Sequence, residues 1–308
     1  MITLGFDTSN YTTSVAVFDG QRGHNVSQLL DVAQGTLGLR QSDALFAHVK
    51  RLPELTDRLF SDIGAQKIDA IGVSTRPRAV EGSYMPCFLA GESQARVLGS
   101  ALGVPVYTCA HQQMHVAASL YSANSMDLMD IPHLAWHLSG GTTELLYVTP
   151  QGKSVHCEKI GGTTDISAGQ LIDRTGKLLG LSFPSGREID ALSREATDTS
   201  VFKVKVTGTE FSLSGVQNKV EEYHKGSNIE TAGYALRCVV GAILKATENA
   251  LKLYPGCKVV FAGGVSSNSY LRSQCTHLPA VFCAPEFSRD NALGTAILAW
   301  REHYETGL

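Results

Sequence analysis

Two short turns of small, hydroxyl-bearing residues, which begin 132 positions apart, limit the possible folds more than any other feature of the sequence. They are Asp7-Thr8-Ser9-Asn10-Tyr11-Thr12-Thr13 and Ser139-Gly140-Gly141-Thr142-Thr143-Glu144. Each lies between two stretches that are typical of β-strands, so two ordinary β-hairpins are one interpretation. A turn of this kind also gathers backbone N–H groups and hydroxyls at one point, as polyphosphate binding requires. Because the glycine-rich turn 261–268 joins a further strand to a helix, we favour two similar lobes that face one nucleotide.

The order of the predicted elements supports such a duplication. Three strands, a helix, a strand, a helix and a strand come first, and the order restarts near residue 134. The predicted strands are 2–7, 14–18, 22–30, 70–74, 104–107, 134–138, 144–148, 154–160, 259–262 and 280–283, and the predicted helices are 42–63, 84–102, 168–179, 229–253, 268–276 and 290–303. The fold class is therefore α/β with a duplicated βββαβα plan, which resembles the two-lobed actin/hexokinase/Hsp70 superfamily with a nucleotide cleft between the lobes.

The chain is long enough for two domains, because 308 residues can bury two cores. We assign residues 1–125 to an N-terminal lobe that carries the candidate metal histidines. Residues 126–308 form the C-terminal lobe, in which the polar stretch at about 181–227 is predicted to be an irregular, inserted subdomain.

Composition limits the partners and the compartment. A net charge of −3 and a pI near 6.4 do not indicate a generally basic, nucleic-acid-binding surface. A polynucleotide would therefore need a local basic patch or a basic partner protein. Seven scattered cysteines without a CxxC pattern are typical of reduced thiols. The chain opens on a strand without a charged and apolar leader, and no segment approaches the length of a membrane span. We expect a cytoplasmic protein.

A pair of histidines is the strongest candidate for chemistry. His111 and His115 are four residues apart, which puts them on one face of a helix at the mouth of the predicted sheet. This geometry suits two ligands of one metal ion, although two surface or capping histidines have the same spacing. Asp290, where the last strand gives way to the last helix, is the best third ligand; its other possible role is that of helix N-cap. Two histidines and one carboxylate leave coordination positions open for a substrate.

At this point the motifs match a family. The chain resembles the TsaD family of tRNA N6-threonylcarbamoyladenosine synthases, once named O-sialoglycoprotein endopeptidases, over nearly its whole length. The matching stretches are Leu4–Ser9, His111–His115, Leu138–Thr143, Ala168–Gly180, Phe183–Gly186, Phe211–Gly215, Ala262–Asn268 and Asp290–Asn291.

This resemblance implies the transfer of a threonylcarbamoyl group from an ATP-derived acyl-adenylate to N6 of adenosine 37 of tRNA. It implies that His111, His115 and Asp290 form the catalytic centre and hold one divalent ion, iron or zinc. It also implies that tRNA binds with the help of partner proteins, in a possible hetero-oligomer with other threonylcarbamoylation subunits. The implied adenylate-binding residues are Leu138, Ser139, Gly140, Gly141, Thr142, Asp173, Gly186, Gly263, Gly264 and Asn268.

Departures from the family pattern concentrate in the first lobe. The family's acidic Cys-Asp-Glu-Thr turn is Asn10-Tyr11-Thr12-Thr13 here, and its Gly-Pro-Gly loop is Arg76-Pro77-Arg78. Three single positions also differ. Gln113 replaces the family residue between the metal histidines, Thr142 replaces the one after Ser-Gly-Gly, and Gln217 replaces the one after Phe-Ser-x-Ser-Gly. Lys219 lies close to Gln217 in the sequence.

Because these changes lie on the acceptor side, other functions stay open. A diverged carbamoyltransferase that acts on a small molecule or a protein is the nearest alternative. A non-catalytic nucleotide-binding partner subunit is another. A sugar or acetate kinase is a weaker one, since Asp7 is the only obvious carboxylate near the first turn.

Overall fold

We describe the fold from a computed structural model, for residues 1–9, 11–31, 39–284, 287 and 290–305. The chain divides into two compact units. Unit 1 contains residues 1–131, 149–157 and 290–308, and unit 2 contains residues 132–148 and 158–289. Among the described residues, no helix combines the length and the apolar character that crossing a membrane demands.

The strands and helices have the following bounds. The strands are β1 Thr3–Asp7, β2 Thr12–Phe18, β3 Gly23–Leu29, β4 Ala70–Arg76, β5 Val106–Ala110, β6 His133–Leu138, β7 Thr143–Gln151, β8 Ser154–Thr163, β9 Val206–Thr207, β10 Glu210–Phe211, β11 Val259–Ala262 and β12 Ala280–Phe282. The helices are α1 Gln41–Ile63, α2 Phe88–Leu102, α3 His111–Ser122, α4 Ala168–Leu178, α5 Gly186–Ser193, α6 Ser214–Tyr223, α7 Asn228–Leu253, α8 Ser269–Gln274 and α9 Leu293–Tyr304.

The same strand arrangement occurs in both sheets. The first sheet has the order β3-β2-β1-β4-β5, and the second has the order β12-β11-β6-β7-β8-β10-β9. In each, a central strand (β1 or β6) pairs antiparallel with the strand that follows it and parallel with a later strand (β4 or β11). A further parallel strand, β5 or β12, closes that side. The predicted α/β fold with a duplicated βββαβα plan is therefore confirmed.

Each unit has its own apolar core. In unit 1, the helical spacing of Leu52, Leu55 and Leu59 gives α1 one apolar stripe, which packs with Phe6 and Val73 of the sheet. In unit 2, α7 is buried along most of its length and packs with a cluster that includes Trp136 and Phe261. The buried indole of Trp136 donates a hydrogen bond to Thr247 Oγ1 on α7 at 2.8 Å. These cores support the strand ends near which the candidate functional side chains lie.

Some boundaries differ from the sequence predictions. The stretch 181–227 is not irregular, because it contains α5, the β9–β10 hairpin and α6, and β10 joins the second sheet next to β8. Two predicted helices begin later, α2 at Phe88 instead of 84 and α9 at Leu293 instead of 290. The last helix, which the sequence division gave to the C-terminal lobe, belongs to unit 1. It packs against β1 and β4, and only tertiary structure brings these distant segments together.

Candidate functional site

The two histidines lie where β5 passes directly into α3. Ala110 is the last residue of the strand and His111 is the first of the helix, so no loop separates the rigid sheet from the first imidazole. His115 follows one helical turn later, and its side chain is 9% exposed. The ring of Phe88 lies edge-on to that of His111, with the centroids 6.1 Å apart. Packing therefore restricts the ring of His111, whose side chain is 17% exposed.

The ligand atoms of His111, His115 and Asp290 converge. The two Nε2 atoms are 2.9 Å apart, and Asp290 Oδ1 lies 3.1 Å from His115 Nε2 and 3.6 Å from His111 Nε2. Ligand atoms that coordinate one zinc ion at about 2.1 Å in tetrahedral geometry are separated by about 3.4 Å. The observed separations are close to this value, and two neutral imidazoles with one carboxylate are a common donor set for a divalent transition metal. The residues present therefore fit such an ion.

Close packing of α9 against α3 brings Asp290 to the histidines. Gly294 in the first turn of α9 is so near the backbone of α3 that a Cβ atom would lie 2.0 Å from the carbonyl oxygen of Met114. The backbone N–H of Ala292 donates to Asn25 Oδ1 at 2.9 Å, which fixes the start of α9 to β3. Asp290 is not the N-cap of α9, because that position is Ala292, so the capping role is excluded.

A buried carboxylate lies behind His111. Asp7, the last residue of β1, is 0% exposed, and its Oδ1 lies 3.2 Å from His111 Nδ1. Burial by itself would raise the pKa of Asp7, but the charge and the hydrogen bond of His111 outweigh it and lower this pKa. Burial lowers the pKa of His111, and Asp7 more than compensates, so that the pKa of the imidazole is raised.

Gln113, which lies between the two histidines in the sequence, faces away from them. Its Oε1 accepts a hydrogen bond from the backbone N–H of Ala110 at 2.8 Å, and its Nε2 donates to the carbonyl of Val155 at 2.6 Å. This amide therefore caps the start of α3 and ties it to β8. Its role is to hold the helix that carries the histidines.

Unit 2 contains a cavity of about 480 Å³, within the range of small-molecule sites. Five of the implied adenylate-binding residues line it, namely Gly140, Asp173, Gly186, Gly264 and Asn268. The remaining lining residues are Gly169, Ile172, Pro184, Arg187, Asp190, Val265 and Ser267. Leu138, Ser139, Gly141, Thr142 and Gly263 are not among the residues that line it.

Hydrogen bonds order the polar groups of the cavity. Asp173 Oδ1 accepts a hydrogen bond from the backbone N–H of Ser185 at 2.8 Å. Burial raises the pKa of Asp173 above its ordinary value, and this hydrogen bond opposes the effect only in part. Asn268 caps α8 by accepting from Leu271 N at 2.9 Å, and its Nδ2 donates to Asp190 Oδ1 at 2.8 Å. These two hydrogen bonds fix the orientation of the Asn268 amide in the cavity wall.

The implied residues outside the cavity lining support its walls. Ser139 and Thr142 close the β6–β7 turn, with Ser139 N donating to Thr142 O at 2.8 Å and Thr142 N donating to Ser139 Oγ at 3.0 Å. Gly263 has a φ of +91°, and a Cβ atom there would lie 2.3 Å from the carbonyl oxygen of Leu138. Only glycine therefore lets β11 turn into the cavity wall at this point.

The departures from the family pattern have separate locations. The Arg76-Pro77-Arg78 loop adjoins His111, because Arg76 pairs in register with Ala110 and Pro77 O accepts from Gln112 N at 3.1 Å. Gln217 accepts a hydrogen bond from Arg174, and Lys219 forms an ion pair with Glu222 at 2.6 Å. Asn10 lies outside the described residues.

Sequence reasoning missed two polar contributors. The sequence places Asp7 at the start of the first turn and offers it as a kinase carboxylate, but it does not indicate the contact with His111. Asp190 lines the cavity and contacts Asn268, yet its only sequence signal is its position one helical turn after Gly186. Both contacts join residues more than 70 positions apart, which spacing rules do not reach.

Comparison with known proteins places these features in context. A family model described as tRNA N6-adenosine threonylcarbamoyltransferase matches residues 31–297. Proteins of that name from Sulfurihydrogenibium sp. (strain YO3AOP1) and Carboxydothermus hydrogenoformans are each 30% identical, over 100% and 98% of this chain and 92% of their own length.

Among solved structures, full-length HypF aligns with a TM-score of 0.61 at 14% identity, over 99% of this chain and 47% of that chain. A ROK hexokinase from Thermus thermophilus aligns with a TM-score of 0.53 at 15% identity, over 98% of this chain and 100% of that chain. At these identities the likeness concerns the fold alone, which is the actin/hexokinase-like fold.

Proposed function

Because the chain belongs to the tRNA N6-adenosine threonylcarbamoyltransferase family and is an acyltransferase, we propose that it is a metal-dependent enzyme whose donor is threonylcarbamoyl-adenylate. The acceptor in this proposal is N6 of adenosine 37 of tRNA. His111, His115 and Asp290 hold one iron or zinc ion, and the unit 2 cavity binds the nucleotide part of the donor.

The observation that carries the proposal is the convergence of three ligand atoms from residues up to 179 positions apart in the chain. A buried imidazole, His115, and two partly exposed ligands, His111 and Asp290, leave positions for a substrate oxygen. When bound there, a divalent ion supplies Lewis-acid chemistry, which stabilises charge on carbonyl or phosphate oxygens. A subunit without catalytic activity would gain nothing from an open site of this kind, which argues against the scaffold alternative.

The cavity suits the nucleotide part of an acyl-adenylate. The ionised carboxylate of Asp173 can accept hydrogen bonds from ribose hydroxyls, and Gly140, Gly186 and Gly264 let a flat base or a phosphate approach the backbone. In the transfer, the adenosine amine attacks the carbamoyl carbon and a C–N bond forms. The C–O bond to the phosphate breaks, and AMP and one proton are released.

The kinase alternative is disfavoured by Asp7. A kinase needs an accessible carboxylate for its base or its magnesium ion. Asp7 is fully buried, and its oxygens contact His111, Ser74 and Ser9, so it is unable to face a phosphate or a hydroxyl substrate.

A second acceptor class has specific support. Arg76 and Arg78 put two cations into the loop that adjoins the start of α3, where the family pattern has two glycines. An anionic small molecule or an acidic protein segment would complement these cations as well as a tRNA phosphate would.

The test combines metal analysis with product analysis. Purified protein is assayed for bound metal and then supplied with ATP, threonine, bicarbonate and the adenylate-forming enzyme, with either tRNA or small amines as the acceptor. Threonylcarbamoylated adenosine in digested tRNA supports the proposal, provided that His111→Ala abolishes it. Product on a small amine but none on tRNA, even with partner proteins added, would establish the alternative acceptor class.

A further inference from the structure

Asp7 lies at the point where β1 ends, and its carboxylate contacts three polar side chains of unit 1. Its Oδ2 accepts a hydrogen bond from Ser9 Oγ at 2.6 Å, and its Oδ1 accepts one from Ser74 Oγ. The same Oδ1 lies 3.2 Å from Nδ1 of His111. A fully buried carboxylate is costly unless its neighbours compensate it, and His111 compensates it together with the two serines.

We propose that Asp7 is a positioning residue for the metal centre: it holds the Nδ1–H of His111 so that the Nε2 lone pair points towards His115 and Asp290. This inference rests on the proposed metal site. A neutral imidazole carries one proton, and the hydrogen bond at one nitrogen decides which nitrogen is free to bind a metal. A carboxylate accepts but does not donate, so it selects the Nδ1–H tautomer and makes the opposite nitrogen a stronger ligand.

The two serines set the position of the carboxylate itself. Ser74 is buried near the end of β4, the strand next to β1, and Ser9 follows β1 in the first turn. Their hydroxyls approach different oxygens of Asp7, which prevents the carboxylate from rotating away from His111. The first turn, for which the sequence suggested phosphate binding, thus supports His111 through the contact of Ser9 with Asp7.

Charge balance agrees with this role. Asp7 and Asp290 together carry two negative charges around two imidazoles, which matches one divalent cation. If Asp7 were absent, the imidazole of His111 would lose its acceptor at Nδ1, and either tautomer could form. His111 would then keep its position, but only a fraction of the molecules would have the Nδ1–H tautomer that metal binding requires.

The test is Asp7→Asn, which keeps the shape of the side chain but presents an amide to Nδ1. The affinities of purified wild-type and variant protein for zinc and cobalt(II) are measured by competition with a chromophoric chelator, and the visible spectrum of the cobalt(II) form is recorded. We expect the metal Kd to rise about 10- to 100-fold and the cobalt spectrum to change. Thr247→Val is the matched control, because it removes a buried hydrogen bond in unit 2, and its metal Kd should equal that of the wild type.

A folded Asp7→Asn protein with wild-type metal affinity and cobalt spectrum would overturn the inference while the metal site itself stands. Wild-type protein that binds no metal would overturn both. If the variant does not fold, nitrogen-15 NMR of the zinc-loaded wild type decides, with His111 assigned by comparison with His111→Asn. A protonated Nδ1 and a zinc-bound Nε2 in His111 support the role of Asp7, and the opposite tautomer refutes it.

Discussion

Replacement of Gly294 by alanine tests whether the packing of α9 on α3 sets the metal centre. In the structure, the added Cβ would lie 2.0 Å from the carbonyl oxygen of Met114 and 2.6 Å from its carbonyl carbon. An ordinary contact requires at least 3.4 Å, so the first turn of α9 has to move by about 1.4 Å relative to α3. Both neighbours are backbone atoms of a buried helix, and they are unable to yield as a flexible side chain would.

This shift is large compared with the tolerance of a metal site. Ligand distances in such sites vary by only about 0.2 Å, and Asp290 precedes the displaced turn by a few residues while the histidines are part of α3. We therefore expect the zinc Kd of Gly294→Ala to rise at least about tenfold. The overpacking should also lower the free energy of unfolding by about 2 kcal/mol.

The matched control is Gly241→Ala. Gly241 is an exposed residue of α7, and nothing lies within 4 Å of its added Cβ. This change should leave metal affinity unaltered and raise the free energy of unfolding by about 0.5–1 kcal/mol, because alanine loses less backbone entropy in a helix. Chelator competition and denaturant titration measure both quantities. Wild-type metal affinity in a folded Gly294→Ala protein would refute the conclusion that this contact positions Asp290.

Three further results are expected. His111→Ala should abolish stoichiometric metal binding, measured by elemental analysis, while the circular dichroism spectrum stays that of the wild type; full occupancy would contradict the ligand assignment. Adenine-nucleotide affinity, measured by calorimetry, should fall with decreasing pH, because binding needs ionised Asp173 and burial raises the pKa of this carboxyl above 3.8. Asp173→Asn should bind the nucleotide weakly at every pH. If this variant keeps the wild-type pH profile, Asp173 is not the group that causes the pH dependence. The isolated chain should bind tRNA weakly, because its net charge is −3. The double variant Arg76→Ala and Arg78→Ala should reduce the salt dependence of binding by at most about two phosphate contacts. Tight tRNA binding that is the same in the wild type and the double variant would disprove this.

Much of the site could be anticipated locally. The i and i+4 spacing of His111 and His115 puts the two side chains on one face of a helix after a strand end, and α3 is that helix. The choice of Asp290 as their partner is in agreement with the geometry. The glycine-containing motifs gave Gly140, Gly186 and Gly264 of the cavity lining, because glycine lets the backbone itself form a wall.

Other features depended on contacts between distant segments. The stretch 181–227 has polar residues at nearly every turn, yet it forms α5 and α6 because Ile189, Val216 and Val220 reach apolar partners in unit 2. Asp190 enters the cavity for the same reason, since α5 packs against α7. Patterns within a short window carry no information on these partners.

The sequence by itself determined the duplicated order of strands and helices, the paired histidines and the positions of the glycine turns, because each of these follows from local periodicity and backbone preference. Tertiary structure alone decided that α9 belongs to the first unit and that Asp7 lies behind His111. Both results come from the packing of strand ends and helices that are more than 100 residues apart in the chain, where burial and hydrogen bonding select one neighbour among many that the sequence would allow.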